Sequence, residues 1–174
     1  MLTKYDEFNC HQIVDTLDHV LDSDRQFTEK YWMNLHDTTG KIVLATGFGY
    51  YPNRNVMDGY GCVNVENKVQ HNVRLSRELR PRTDELVVGP LSWEVVEPLK
   101  RIHVKMDENE YGISYDPEFI GRMPAHEEIP QVRRDKGRIF MNTCRMVQLG
   151  TAQGWVKVDG KKYDVDEKSW RAQR

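Results

Sequence analysis

The chain has 174 residues, of which 39% are hydrophobic and 30% are charged, and its formal net charge is −2. This length and composition are typical of one globular domain with a single core. The mixed charges give no reason to expect a nucleic acid or an anionic membrane as a partner. No tract is apolar and long enough to predict a transmembrane segment.

The first predicted element is one amphipathic helix, inside an N-terminal lead-in that we assign to residues 1–28. Apolar residues recur at helical spacing from Cys10 to Leu21, whereas Asp15 and Asp18 lie on the opposite side. The lead-in lacks the basic start and apolar stretch of a secretory signal.

From residue 29 onward the pattern is that of strands and turns, and we predict one β domain over 29–174. Pro98 marks a bend, a bulge or the start of a strand, because proline cannot donate to a central ladder. The segment 121–138 is rich in Pro, Gly and charge, and we expect it to be a long loop. The strands that we expect are 31–36, 41–49, 56–65, 69–77, 91–97, 99–106, 110–119, 155–158 and 161–165.

The clearest hairpin is centred on Asp159-Gly160, the residue pair that a type I′ turn requires. That turn predicts that Lys157 and Lys162 lie opposite each other on the solvent-exposed face of the hairpin. The apolar side chains of both strands then share the other face.

The chain shows no alternation of strands with helices and no internal repeat. We therefore predict an all-β fold, either an antiparallel lipocalin-like barrel or a strongly curved sheet, with one N-terminal helix.

Neither the cysteines nor the local motifs point to a metal or a cofactor. Cys10, Cys62 and Cys144 are far apart and never in a CxxC pair, which excludes the usual zinc and redox motifs and is typical of a reducing cytoplasm. No nucleophile elbow, phosphate loop, HExxH or dinucleotide fingerprint is present. We predict a cytoplasmic protein with no metal and no cofactor.

Three polar residues inside apolar strands are the candidates for acid/base catalysis. His71 shares a face with apolar neighbours, Asp58 lies between Met57 and Gly59, and Glu94 follows a tryptophan. A buried carboxylate beside a histidine can exchange protons near neutral pH. The alternative is that these side chains lie on the wet face or in salt bridges.

Aromatic residues on the predicted strands are candidates for lining a ligand cavity, and two arginines add fixed positive charge. The alternative is that the aromatic side chains fill the core of the domain. The candidates are Trp32, Phe48, Tyr60, Trp93, Tyr115 and Trp155, together with Arg74 and Arg145.

Five stretches together resemble a known group of proteins. They are SDRQFTEKYW (23–32), GFGYYPNRNVMDGYG (47–61), VQHNVRLSR (69–77), VGPLSWEVVEPLKR (88–101) and VQLGTAQGWVKVDGKKYDV (147–165). In these stretches the chain is similar to the N-terminal half of an uncharacterised bacterial family in the lipocalin-like, tandem-calycin group. That group includes carotenoid 1,2-hydratases and AttH-like proteins.

The resemblance implies a unit of two consecutive β barrels that handles bulky apolar substrates. Members of the uncharacterised bacterial family typically continue, after a segment like SWRAQR (169–174), into an Asp-x-Ser-Trp-Gly stretch and a second β domain. We therefore expect this domain to be half of a two-barrel unit, whose partner is a second β domain or subunit, or a second copy joined through a strand edge.

Three functions follow as hypotheses. The leading one is binding of a bulky apolar small molecule, such as a terpenoid, a steroid or a polyketide-like compound. The second is enzymatic, a hydratase, dehydratase or isomerase acting on such a compound through Asp58, His71 or Glu94. The third is a structural half-domain with a filled core, which assembles with a second β domain or subunit.

Overall fold

A computed structural model describes residues 1–9 and 20–174. The predicted N-terminal helix falls mainly on residues 10–19 and so lies outside the described residues. Of the lead-in, the structure shows a 3-10 turn at Lys4–Glu7, where the Thr3 side chain accepts a hydrogen bond from the Tyr5 amide. Within the described residues, no helix is long and apolar enough to cross a membrane.

After the lead-in, nearly all of the regular secondary structure of the described residues consists of strands. Their bounds are β1 Glu29–Asp37, β2 Ile42–Tyr51, β3 Val56–Val65, β4 Val69–Glu78, β5 Val87–Val88, β6 Leu91–Glu97, β7 Arg101–Met106, β8 Ile113–Tyr115, β9 Glu118–Gly121, β10 His126–Glu127, β11 Gln131–Asp135, β12 Arg138–Thr143, β13 Met146–Val147, β14 Leu149–Val158, β15 Lys161–Val165 and β16 Trp170–Gln173. A second 3-10 turn, Pro52–Arg54, separates β2 from β3.

Twelve strands form one antiparallel sheet, which confirms the all-β prediction. The main path runs β4-β3-β2-β1-β16-β14-β8-β7-β6-β5. Strand β15 extends the long β14, and β9 pairs with both β14 and β7. The sheet is not a closed barrel, because β4 and β5 are its two ends and no ladder joins them. Of the two predicted architectures, the closed barrel is wrong, and the open sheet is consistent with a curved one.

The core lies on the inner face of this sheet and is made of buried hydrophobic side chains. Alternation along β2 places Ile42, Leu44 and Phe48 inward, and their cross-strand partners on β1 and β3 continue the same layer. On the outer face of β2, Val43 is exposed.

The C-terminal hairpin matches its predicted register. Asp159 and Gly160 both have positive φ angles, Lys157 lies opposite Lys162, and Val156 lies opposite Tyr163. The turn residues fix this geometry locally, which explains why a sequence pattern sufficed.

The segment 121–138 is not the long loop that we expected. It contains β10, which pairs with β13, and β11, which pairs with β12 as a separate hairpin away from the large sheet. We call residues 131–143 the arm. Most of its side chains are exposed, so it lacks the alternation of buried and exposed positions by which strands are recognised.

Candidate functional site

Three aromatic rings meet on the inner face, where β1, β2 and β6 come together. Tyr31 lies directly opposite Phe48, and the Trp93 ring is 5.4 Å from the Tyr31 ring and 6.1 Å from the Phe48 ring, centroid to centroid. These separations are those of favourable tilted and edge-to-face pairs. We call this group the aromatic cluster.

One polar atom of the aromatic cluster stands out. Trp93 is only 5% exposed, yet its indole nitrogen Nε1 is buried and has no hydrogen-bond partner among residues 1–9 and 20–174. A buried donor that has lost its water partners costs about 1–3 kcal/mol. The neighbouring Tyr31 is satisfied, since its hydroxyl donates to the Glu7 carbonyl oxygen over 2.9 Å.

Deeper in the core, a second polar pair is fully satisfied. The Thr46 hydroxyl lies 2.8 Å from the Tyr115 hydroxyl and 2.9 Å from the Tyr60 carbonyl oxygen. Burial raises the pKa of Tyr115 far above its ordinary value, so this phenol stays protonated. Tyr115 is therefore a structural member of the core with its hydrogen bonds already used.

The aromatic and arginine candidates separate into inner and outer groups. Phe48, Trp93 and Tyr115 point inward, and Phe48 contacts Trp93 in the aromatic cluster. Tyr31, which sequence reasoning missed, completes that cluster. The alternation of Tyr31, Met33 and Leu35 carries the signal that would have placed Tyr31 inward and its neighbour Trp32 outward.

Three of the outer candidates form one row across the sheet. Trp32, which is 41% exposed, lies opposite Gly47, followed by Tyr60 on β3 and Arg74 on β4. Trp155 is also outside the core, where Lys162 lies 5.5 Å from its ring centroid. Trp32, Tyr60 and Arg74 thus neighbour one another, and Trp155 neighbours Lys162. None of these four candidates belongs to the aromatic cluster.

Arg145 lies away from the large sheet, near the base of the arm. Its guanidinium Nε is 3.0 Å from a carboxylate oxygen of Glu128, and both side chains are substantially exposed.

The three acid/base candidates lie in three separate places. Asp58 accepts a hydrogen bond from the Tyr51 hydroxyl over 3.0 Å on the outer face. The His71 ring nitrogen Nε2 lies 3.0 Å from Asp159, within ion-pair distance but without hydrogen-bond geometry. Because no two of them share a cavity, the structure assembles no catalytic pair from Asp58, His71 and Glu94.

Glu94 belongs to a further surface group. Its side chain is 72% exposed and lies 3.8 Å from Nδ1 of His103, whose Nε2 makes a short contact with Asp116. Among the described residues, no three histidine, cysteine or acidic side chains are placed to hold a metal ion.

Surface clefts of the described residues include two that are open to solvent. One, of about 410 Å³, lies between β15 and the turns that follow β1 and β3. The other, of about 170 Å³, is bounded by Tyr51, Arg54, Val56 and Asp58. Neither cleft includes a member of the aromatic cluster.

The comparisons with known proteins yield one match. A family model described as a family of unknown function, DUF8625, matches residues 2–174. No curated protein and no solved structure matches the chain.

Proposed function

Since the chain belongs to a family of unknown function, DUF8625, we infer its role from its own geometry and propose that it binds a bulky apolar molecule at the aromatic cluster. The observation that supports the proposal is the buried indole N–H of Trp93, for which the described part of the chain supplies no acceptor. A ligand that brings a hydrogen-bond acceptor to this nitrogen removes the cost of the buried donor.

The surroundings of that donor define the class of ligand. The rings of Tyr31 and Phe48 flank Trp93 and offer apolar surface rather than charge. A neutral molecule with a large apolar body and a ketone, ether or hydroxyl oxygen fits both features. Terpenoids, steroids and polyketide-like compounds combine them.

Tyr31 is the side chain that would have to move to admit the ligand. Phe48 and Trp93 are both buried, whereas Tyr31 is half-buried and packs against the edge of the core. A rotation of Tyr31 breaks its hydrogen bond to the Glu7 carbonyl oxygen and opens the apolar face of Trp93. The enzymatic hypothesis gains no such support, because its three residues lie apart.

Native mass spectrometry of the purified chain, before and after organic extraction, is the first experiment. It looks for a co-purified apolar compound. The second is a titration with a neutral steroid ketone, followed through the indole N–H signals in a ¹H–¹⁵N NMR spectrum. We expect the Trp93 signal, identified by its loss in Trp93→Phe, to shift downfield as its nitrogen gains an acceptor.

Two controls make the result specific. Trp32→Phe alters an exposed tryptophan on the outer face and should leave binding unchanged. A hydrocarbon of the same size but without oxygen should bind more weakly than the ketone. The proposal fails if no compound co-purifies and if a saturating ketone leaves the Trp93 signal in place.

A further inference from the structure

The arm exposes apolar side chains of the kind that a folded domain ordinarily buries. Phe140 is 65% exposed, Val132 and Ile139 are each about half exposed, and Ile129, just before the arm, is 87% exposed. Every residue from 132 to 140 is exposed. A cluster of exposed hydrophobic side chains on a protein surface marks a contact with another molecule or with a membrane.

The register of the hairpin leaves both of its faces open. Arg134 lies opposite Ile139, and Val132 is two residues from Arg134, so Val132 and Ile139 share one face. The register passes over Phe140, which is the extra residue of the β-bulge. A flat protein surface covers one face of such a hairpin and leaves the other in water. A lipid interface surrounds the hairpin on all sides.

The arm also carries a local excess of positive charge. The whole chain has a formal net charge of −2, so this excess belongs to the arm and not to the chain at large. A negatively charged surface is therefore its complement. Against the single acidic residue Asp135, residues 131–143 contain Arg133, Arg134, Lys136 and Arg138.

The acidic residues at the base of the arm do not cancel this excess, because they already have cationic partners. A carboxylate oxygen of Glu128 lies 3.0 Å from Nε of Arg145. A carboxylate oxygen of Glu127 lies 3.4 Å from the N-terminal ammonium of Met1. The basic groups nearer the tip of the arm are thus available to an external anion.

The tip places cationic and apolar groups within a few residues of each other. Lys136 and Gly137 make the turn with positive φ angles, and Arg134 Nη1 donates to the Gly137 carbonyl oxygen over 3.3 Å. The aliphatic stems of arginine and lysine lie along apolar surface while their charged ends reach phosphate groups. A nucleic acid matches the charge but offers no apolar interior to Val132 and Ile139.

We propose that the arm binds the surface of membranes that contain anionic phospholipids. Its basic side chains contact the headgroup phosphates, and Ile139 and Phe140 enter the boundary between headgroups and acyl chains. A two-stranded hairpin alone in water is at best marginally stable, so this contact also stabilises the arm. The binding involves no residue of the aromatic cluster. Each of the two proposals can therefore fail without the other.

Co-sedimentation of the full chain with unilamellar vesicles tests the proposal. We expect binding to vesicles of phosphatidylcholine mixed with phosphatidylserine, and none to phosphatidylcholine alone. Binding should weaken as NaCl is raised, because the opposite charges are screened. Phe140→Asp should lower the partition coefficient by roughly tenfold or more, since it removes a buried aromatic ring and adds a negative charge. Phe140→Leu should retain most of the binding. Val43→Asp, at an exposed valine on β2, is the matched control and should bind like the wild type.

A second pair of variants separates the charge of the arm from the charge of the chain. Arg133→Gln with Arg138→Gln should weaken binding to the mixed vesicles. Lys161→Gln with Lys162→Gln removes the same charge from exposed positions of the C-terminal hairpin and should not. Circular dichroism verifies that each variant is folded.

Three results would overturn the proposal. The first is a folded wild-type chain that stays in the supernatant with both kinds of vesicle at low salt. The second is equal binding by Phe140→Asp and the wild type, or an equal loss in the arginine and lysine pairs. The third is a dimer that forms without lipid and is lost in Phe140→Asp, which would assign the arm to a second copy of the chain.

Discussion

Arg77 Nε, on β4, donates a hydrogen bond to the Val87 carbonyl oxygen on β5 over 2.6 Å. These strands are the two ends of the open sheet, so one side chain makes the connection that a backbone ladder would make in a closed barrel. The same guanidinium donates to four more carbonyl oxygens, those of Glu78, Leu79, Arg82 and Glu85. The planar guanidinium of Arg77 therefore fixes the segment that leads from β4 to β5, because its N–H groups donate to several carbonyl oxygens there.

Removal of this side chain should loosen the junction between the two sheet ends. We expect Arg77→Ala to lower the free energy of unfolding by about 2–3 kcal/mol, because carbonyls are left without their charged donor. Arg77→Lys should recover only part of the loss, since an ammonium cannot reproduce the fork. Urea denaturation measures both. Arg74→Ala, an exposed arginine on the same strand, should change stability by less than about 0.5 kcal/mol. An Arg77→Ala variant as stable as Arg74→Ala would contradict the role we give it.

The buried pair Glu7–Arg174 should behave as a coupled unit. Arg174 Nη1 lies 2.5 Å from Glu7 Oε1, both side chains are almost fully buried, and the Leu99 amide donates to the other Glu7 oxygen. Loss of one member leaves the other charge buried and should cost about 3–5 kcal/mol. The double variant Glu7→Leu with Arg174→Met should be more stable than either single variant. A double-mutant cycle in urea measures the coupling, and strictly additive losses would argue against it.

Gly47 and Gly49, both on β2, should differ in their tolerance of alanine. A Cβ at Gly47 would overlap the backbone carbonyl oxygen of Tyr31, which cannot move without disturbing β1. A Cβ at Gly49 would meet the side chains of Tyr51 and Asp58, which can rotate away. We expect Gly47→Ala to lower the thermal midpoint clearly more than Gly49→Ala. Equal midpoints for the two variants would show that β1 accommodates the methyl group.

The turn between β15 and β16 should contribute stability that depends on pH. A hydrogen bond from the Ser169 hydroxyl, followed by backbone hydrogen bonds from Ser169 and Lys168, lowers the pKa of Asp166 below its ordinary value of 3.8. A pKa lowered by folding adds stability above the unfolded pKa, and this stability is lost as pH falls through the folded pKa. The thermal midpoint of Asp166→Ala should therefore lie below that of the wild type at pH 7, and the difference should shrink below pH 4.

Ser169→Ala supplies the check on that cause. It removes the largest of the hydrogen bonds, so the pKa of Asp166 should rise toward its ordinary value. NMR titration of the carboxyl carbon reads the pKa directly. A wild-type Asp166 that titrates at its ordinary value would remove the basis for the pH effect.

The sequence by itself determined those features that depend on neighbouring residues. The register of the 159–160 hairpin came from its two turn residues, and the expected strands 56–65 and 69–77 correspond to β3 and β4. Alternation also indicated that His71 points toward the inner side, since it lies opposite the buried Val63. These are local properties, because a turn type and a two-residue period each act over a few residues.

Only the tertiary structure decided which residues meet. Tyr31, Phe48 and Trp93 come from three separate strands, and their contact depends on how the sheet curves. Whether the Trp93 nitrogen meets an acceptor depends on every atom around it. The hydrogen bonds from Arg174 to Glu7 and from Arg77 to Val87 join residues that are distant in the sequence or at opposite ends of the sheet. The strands of the arm were not predicted because they have no buried face. Apolar and polar residues alternate only where one face of a strand is buried against a core. Local patterns thus determined the strands, whereas packing between distant strands determined the candidate site.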